Sequence, residues 1–482
     1  MDAPLVAAAP RDPAFAARLD GAPVCVAGLG VSGPPVVRAL LRGGAEVTVV
    51  EARDDDAARR AAEPLRAAGA RVTLGGADLP PGTGLVVTSP GWRPDAPLLV
   101  AAADAGVEVI GDVELAWRLS PADQTWLAIT GTNGKTTTVR MLEAMLRADG
   151  RDAVAVGNVG TPVIEAALPG PDGRYPAVLA VELSSFQLHW SSSLRPHAAT
   201  VLNVAADHLD WHGGLEPYAA AKGRVYAPGT VRVVNTADPW SARLAAEHGD
   251  PAAPLVGFTL GTPRPGEVGV VEDLLVDRAF TADPERTAEE LASLADVRPP
   301  APHNVANALA AAALARSVGA APAAVRAGLA AFAPEPHRIA HVAQVAGVDY
   351  VDDSKATNPH AAAASLTAYP SVVWIAGGLL KGADVAELVR AAAPRLRGAV
   401  LLGRDRDRLR DALAEHAPGV PVVDVADTGP DAMAGVVAAA AGLARPGDTV
   451  LLAPAAASMD MFPDYKARGD RFAAAVGALG GD

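Results

Sequence analysis

The chain is poor in several things, and each shortage removes a class of function. A single cysteine, Cys25, stands in an apolar run among 482 residues, so there can be no internal disulfide and no cysteine-built metal site. Acidic residues outnumber basic ones, 55 to 41, for a net charge of −14, and no long basic run appears; this argues against nucleic acid as the main partner. It leaves anionic small molecules open, because a few local Lys and Arg can serve them. No stretch approaches the ~20 consecutive apolar residues that a membrane span needs, and Val305–Ala315 is short and Ala-rich. Met1–Pro10 lacks the basic-then-apolar order of a secretion signal. Internal repeats and low-complexity tails are also missing. A soluble, cytoplasmic, monomeric protein without membrane insertion is the expectation.

Half the residues are hydrophobic and a fifth charged, which suits a core-forming chain, and the length suggests roughly three domains of ~150 residues. The stretch with the clearest chemistry is Thr125–Thr138. The apolar run Trp126–Ile129 reads as a buried strand, broken by Gly131-Thr132-Asn133-Gly134. Lys135 then opens an amphipathic helix to Arg147. Backbone N–H groups and a positive helix end would face an anion there, with a Lys to neutralise it and a hydroxyl to reach a cation. The spacing is the short Thr-Gly-Thr-x-Gly-Lys-Thr form, because Ile129 stands where the longer loop has Gly. An ordinary strand-to-helix turn is the alternative, but Gly131, Gly134, Lys135, Thr136 and Thr137 together favour nucleotide phosphates.

Upstream, strand Val24–Ala27 leads into Gly28-Leu-Gly30-Val31-Ser32-Gly33 and a helix opened by Pro34 and Pro35. Strand Val47–Val50 then ends in Glu51. This layout suits a dinucleotide or another nucleotide-like diphosphate. Further strands are expected at Arg71–Leu74, Leu85–Thr88 and Val107–Ile110, giving a Rossmann-like first domain over 1–115. A central P-loop α/β domain is expected over 116–334, with strands Val154–Val156, Ala177–Glu182, Thr200–Val204 and Val231–Asn235. Glu182 closes its strand, as either a Mg²⁺ ligand or an acid favoured by a helix N-terminus. Asp207-His208 follows another strand. Lys222, in Tyr218-Ala-Ala-Ala-Lys222, reads on its own as a solvated lysine. Asn304 and Asn307 share a face of the helix from Pro302, as helix-start polar residues or as readers of a base. The Gly- and Pro-rich stretch 254–281 reads as hairpin decoration without chemistry.

A third α/β domain, Rossmann-like, is expected over 335–482. Its strands are Val348–Val351, Val372–Ala376, Ala399–Leu402 and Thr449–Leu452. Helices are expected at Pro359–Ala368, Asp384–Ala393, Asp405–His416, Pro430–Ala441 and Tyr465–Val476. Polar clusters follow three of the strands: Asp352–Asn358, Gly377–Gly382 and Pro454–Met459. Each alone suits a capped turn; three on one sheet edge suggest a binding face. Pro334 and Pro336 mark an expected hinge over Ala333–Pro336.

Taken together, these motifs resemble the Mur ligases of peptidoglycan synthesis. The resemblance rests on Thr130–Thr136, Gly157-Asn158-Val-Gly-Thr-Pro162, Glu182-Leu-Ser-Ser-Phe-Gln187, Asp207-His208, His303-Asn304-x-x-Asn307 and His337-Arg338. Within the family, Asp353-Ser-Lys-Ala-Thr-Asn358, Lys381 and Ser458-Met459-Asp460 match the members that add D-glutamate. The resemblance implies an ATP-dependent ligase joining D-glutamate to UDP-N-acetylmuramoyl-L-alanine through an acyl phosphate, with ATP and two Mg²⁺ ions. It implies that the nucleotide substrate is held by Gly30, Val31, Ser32, Glu51, Arg53, Ser89, Gly91, Asn158 and His208. The family often has Asp-Thr-Arg where Glu51-Ala52-Arg53 stands. ATP would be held by Gly131–Thr137 with Asn304, Asn307, Arg338 and Asp353, and D-glutamate by Lys355, Thr357, Lys381, Ser458, Met459 and Tyr465. Lys135, His208 and Lys222 would be catalytic. The metals would fall to Thr136, Glu182, His208 and Lys222, the last as a carbamate, since an ammonium cannot bind a cation.

Overall fold

The structure, a computed structural model, describes residues 9–158, 160–170, 172–427, 429 and 431–479. Most of Met1–Pro10, Val159 of the Gly157–Pro162 motif and Pro430 of the expected helix Pro430–Ala441 lie outside them. Two compact units account for the chain: the first runs to Val204 and includes His208–Asp296 and Ala306–Phe332. The second comprises Ala205–Asp207, Val297–Val305 and the chain from Ala333.

The first unit contains two sheets. In the first sheet, β1 (Pro23–Ala27), β2 (Glu46–Glu51), β3 (Arg71–Leu74), β4 (Leu85–Thr88) and β5 (Glu108–Gly111) pair in parallel in the order β3-β2-β1-β4-β5. The central strands β1 and β4 are buried along nearly all their length, as parallel strands covered by helices on both faces must be. Order reverses between β1 and β4, which puts the Gly28–Gly33 loop at the switch point where open α/β sheets hold ligands.

The second sheet has nine strands: β6 (Thr125–Thr130), β7 (Ala153–Gly157), β8 (Val178–Glu182), β9 (Ala198–Val201), β10 (Val231–Asn235), β11 (Leu255–Phe258), β12 (Glu267–Val271), β13 (Leu274–Asp277) and β14 (Glu289–Ser293). Their order is β14-β13-β12-β11-β10-β9-β6-β8-β7. Two sequence expectations change here. The stretch 254–281 is no loose decoration, since β11 and β12 continue the parallel ladder and only β12–β13 is a hairpin. Buried Asp277 anchors that edge through Arg316, at 2.8 Å, which the Gly and Pro content of the segment hid. Strand β9 ends at Val201 rather than Val204, because Asn203 turns away to bond residues 132 and 133.

The second unit is built on β15 (Ala340–Val345), β16 (Val348–Asp352), β17 (Val372–Gly377), β18 (Leu396–Leu402), β19 (Val422–Asp424) and β20 (Thr449–Leu452), ordered β15-β16-β20-β17-β18-β19. The unexpected β15 joins β16 as a hairpin through Ala346-Gly347, both at positive φ (52° and 76°), as the favoured two-residue turn requires. The remaining pairs are parallel, with separate apolar clusters that include Trp374 and Leu401 on one face and Val373 and Phe472 on the other. The C-terminal ends of β16, β20 and β17 are neighbours, so the three polar clusters read from the sequence share one sheet edge.

Candidate active site

In the first sheet the loop after β1 is shaped by close approach. A Cβ at Gly33 would lie 2.3 Å from the Gly28 carbonyl oxygen, so only glycine lets the helix Gly33–Arg42 start against the loop. Glu51, at the end of β2, is buried and directs its carboxylate inward: it accepts the Leu29 N–H (2.8 Å) and the Arg53 N–H (3.1 Å), and pairs with Arg53 Nε at 3.0 Å. Those donors and the guanidinium hold its carboxyl below the usual carboxylate range against the opposing effect of burial. Glu51 thus braces the glycine loop, on which Gly30 and Val31 stand exposed, while Arg53 is exposed just after β2. Ser89 and the indole of Trp92 pack beside Gly28, with Gly91 exposed between them.

The middle sheet builds an anion cradle. β6 ends at Thr130, Gly131 (φ 149°) and Gly134 (φ 86°) make the turn, and the helix Lys135–Ala148 begins at once. A Cβ at Gly134 would come within 2.4 Å of the Asn307 Oδ1, so this glycine is required both by its left-handed backbone and by the asparagine packed on it. Asn203 clamps the loop from β9 by accepting the Asn133 N–H (2.9 Å) and donating to the Asn133 carbonyl (3.1 Å). Lys135 Nζ donates to the carbonyls of Gly131 and Thr132, each at 2.9 Å. The Thr136 hydroxyl donates to Glu182 Oε2 at 2.8 Å, and the Asn158 amide lies 3.4 Å from Glu182 Oε1. Thr137 is half-buried on the same first turn.

Lys222 is the clearest departure from the reading of the residues alone. It is not solvated but buried, donating from Nζ to the Gly131 carbonyl at 2.8 Å and lying 4.5 Å over the Tyr218 ring. The Tyr218 hydroxyl in turn shares a hydrogen bond with Thr132 Oγ1 (3.0 Å), so this helix supports the loop from beneath. His208 adopts a left-handed backbone (φ 53°) before the short helix Leu209–His212; its ring is exposed and meets the Phe186 ring edge-on at 4.8 Å. Asn307 lies at the cradle, whereas buried Asn304 donates its amide to the carbonyls of Arg298 and Pro299, both at 2.9 Å.

In the second unit, Asp353 is buried, accepting from the Ser365 hydroxyl and from the Ile339 N–H (3.3 Å); burial pushes its carboxyl up to about 6, with the Arg338 guanidinium opposing. Arg338 also pairs with Glu335 at 3.4 Å. Lys355 places Nζ 3.9 Å from the centre of the Tyr465 ring, a cation–π contact. Thr357 is half-buried on the same turn, and Asn358 caps the next helix through the Ala361 N–H. The β17 and β20 loops are tied together by reciprocal backbone bonds between Leu379 and Ala457 (2.8 and 2.9 Å), which sets exposed Lys381 (φ 51°) on the loop joined to the one carrying buried Ser458 and exposed Met459. Gly378 permits this approach, since a Cβ there would be 2.2 Å from the Ala457 carbonyl oxygen.

Two supporting residues escaped the sequence reading. Arg468 is fully buried and donates to Ser354 Oγ (2.9 Å), the Ser354 carbonyl (2.8 Å) and the Ala456 carbonyl (3.1 Å), stitching the β16 loop to the β20 loop. Asp112 is buried at the start of the helix Asp112–Leu119, with its Oδ1 lacking a hydrogen-bond partner among the described residues. Its neighbour Glu114 accepts the N–H groups of Ser192 and Ser193 and pairs with Arg118 at 2.8 Å. Nothing in their local sequence marks them; only burial does.

Among the described residues no three His, Cys, Asp or Glu are arranged as ligands for one metal ion. A phosphate-bound Mg²⁺ needs no such cluster, since it takes one or two protein oxygens and completes its shell with phosphate and water. The Thr136 hydroxyl beside the Glu182 carboxylate is a donor pair of that kind.

Geometry of this sort defines a class: a protein of three α/β sheets with a glycine-turned strand-to-helix loop on the middle one. Models of known families divide the chain the same way. The Mur ligase MurD-like N-terminal domain matches residues 22–111, the Mur ligase middle domain 129–315, and the Mur ligase glutamate ligase domain 337–456. Among similar proteins, the UDP-N-acetylmuramoylalanine–D-glutamate ligase of Thermobifida fusca is 74% identical over 96% of this chain and 100% of its own. The protein of the same name from Streptomyces avermitilis is 60% identical over 95% of this chain and 99% of its own. A solved UDP-N-acetylmuramate–alanine ligase from Thermotoga maritima shares the fold at 19% identity, TM-score 0.56, over 94% of this chain and 99% of its own. The chain belongs to the Mur ligase family and is a ligase. No helix among the described residues is long and apolar enough to cross a membrane.

Proposed function

We propose that the protein adds D-glutamate to UDP-N-acetylmuramoyl-L-alanine at the expense of ATP, a cytoplasmic step of peptidoglycan synthesis carried out by a monomer. The observation that carries this reading is 74% and 60% identity, over nearly the whole chain, to ligases named for that reaction; the glycine turn that opens the helix at Lys135 supports it.

A carboxylate is a poor electrophile. Moving the γ-phosphoryl group of ATP onto the alanyl carboxylate makes an acyl phosphate, which the amine of D-glutamate then attacks; phosphate leaves, and the amine loses a proton as the amide forms. Most of the catalytic demand is neutralisation and positioning of anions that repel one another. In this reading the loop N–H groups and Lys135 take the β- and γ-phosphates. Thr136 and Glu182 would hold one Mg²⁺, and His208 with a carbamate on Lys222 would hold a second; the ions would supply charge neutralisation to the transferring phosphoryl group. As an ammonium, Lys222 fits no metal, but its burial beside the Gly131 carbonyl places its nitrogen at the loop. Asn304, Asn307, Arg338 and Asp353 take the rest of ATP. Gly30, Val31, Ser32, Arg53, Ser89, Gly91, Asn158 and His208 line the UDP-sugar path, with Glu51 fixing the glycine loop. Lys355, Thr357, Lys381, Ser458, Met459 and Tyr465 receive D-glutamate, two lysines matching two carboxylates.

The test is phosphate release from ATP with D-glutamate, L-alanine, L-lysine and meso-diaminopimelate offered in parallel. Release that requires both UDP-N-acetylmuramoyl-L-alanine and D-glutamate is expected; release with either alone, or preference for another amino acid, overturns the reading.

A further inference from the structure

His208 is held in an unusual way. A non-glycine residue at φ 53° is conformationally costly and persists where its surroundings over-determine it. The turn it opens is tied by its own backbone, with the N–H groups of Trp211 and His212 donating to the His208 carbonyl (3.1 and 3.2 Å) and Gly213 closing in left-handed geometry. At its far end, His212 Nε2 shares a hydrogen bond of 2.9 Å with Ser185 Oγ. Ser185 is buried and opens the helix that follows Glu182. The His212 ring lies parallel to Phe186 (3° between planes, 5.6 Å between centres), and Phe186 also carries the edge-on contact to His208. Tyr218, which bonds Thr132 of the phosphate loop, meets the His212 ring at 5.3 Å. The imidazole of His212, on the His208 turn, therefore touches both the segment after Glu182 and the tyrosine that bonds the phosphate loop, alongside the direct contacts His208 makes to Phe186 and Tyr218.

We propose that His212 is a positioning residue for His208: hydrogen-bonded to Ser185 and stacked on Phe186, it holds the left-handed turn in register with the Glu182 segment and so sets the affinity of the second cation site. This rests on His208 being a ligand of that site. A group that orients a metal ligand through a neighbour commonly changes metal affinity by ~10–100-fold when removed.

The experiment counts Mn²⁺ bound to the full-length protein by electron paramagnetic resonance, with UDP-N-acetylmuramoyl-L-alanine and a methylene-bridged ATP analogue present and D-glutamate left out. Wild type is expected to bind two ions. His208→Ala should lose the weaker one; if it keeps both, the metal reading of His208 is wrong whatever His212 does. His212→Ala should weaken the second ion by ~10-fold or more and leave the first unchanged, with His212→Gln, which retains a hydrogen-bonding head, recovering most of the loss. Ser185→Ala removes only the hydroxyl and should weaken the same ion, so the proposal stays testable if His212→Ala does not fold. Loss of the ion in His208→Ala with wild-type binding in Ser185→Ala and in whichever His212 variants fold overturns the positioning role.

Discussion

Asp112→Asn offers a quantitative test of how the first unit is assembled. The Asp112 carboxyl is buried with Oδ1 unpartnered among the described residues, and burial pushes it from 3.8 up to about 6. The folded state therefore binds this proton more tightly than the unfolded chain. Below pH ~4 both states hold it and it costs nothing; between pH ~4 and ~6 stability falls because the unfolded carboxyl releases its proton while the folded one retains it; above that both are ionised and the full cost is present. A difference of roughly two pH units corresponds to about 3 kcal/mol at neutral pH, an upper figure because the protein relaxes around the charge. Asparagine keeps the acceptor and the shape but cannot ionise. The variant is therefore expected to melt with wild type near pH 4 and above it at pH 7.5, by ~3–9 °C at most if each kcal/mol moves the midpoint by ~1–3 °C. The assay is thermal unfolding of both proteins at half-unit steps from pH 4 to 7.5, read as the difference between them, which cancels other titrating groups. A difference that stays flat with pH, or that favours wild type at pH 7.5, would refute the claim that Asp112 is held against its own ionisation.

Other expectations concern the site. Lys135→Ala should abolish phosphate release, while Lys381→Ala should raise the D-glutamate KM by ~10–100-fold, the loss of one charge-assisted contact, with a smaller change in kcat; equal effects on ATP and D-glutamate would contradict the division of roles. Gly134→Ala, which meets Asn307 Oδ1 at 2.4 Å and a left-handed backbone, should lower kcat/KM for ATP by at least ~10-fold through a displaced loop, at a strain cost of ~1–3 kcal/mol that leaves the chain folded by circular dichroism. Arg468→Leu should destabilise the second unit by ~3 kcal/mol or more in urea unfolding, because the Ser354 and Ala456 carbonyls lose their donor inside the protein.

Local sequence was enough wherever a residue's role depends on its immediate neighbours. The glycines of the two loops, the Lys and Thr that open the helix at 135, and the polar groups closing β8, β16, β17 and β20 are legible because strand, turn and helix start each leave a short-range mark in residue type. The family motifs are made of those same marks. Tertiary structure alone decided what depends on residues far apart in the chain. It buried Lys222 under Gly131, turned the Glu51 carboxylate towards the Leu29 N–H, ended β9 early so that Asn203 could clamp the phosphate loop, and drew 254–293 into the sheet edge. Arg468, Asp112 and His212 belong to the same group. Their roles come from burial and from partners on other segments, and the free energy of a buried polar group is set by which donors and acceptors the fold brings to it, a quantity with no period or spacing along the chain.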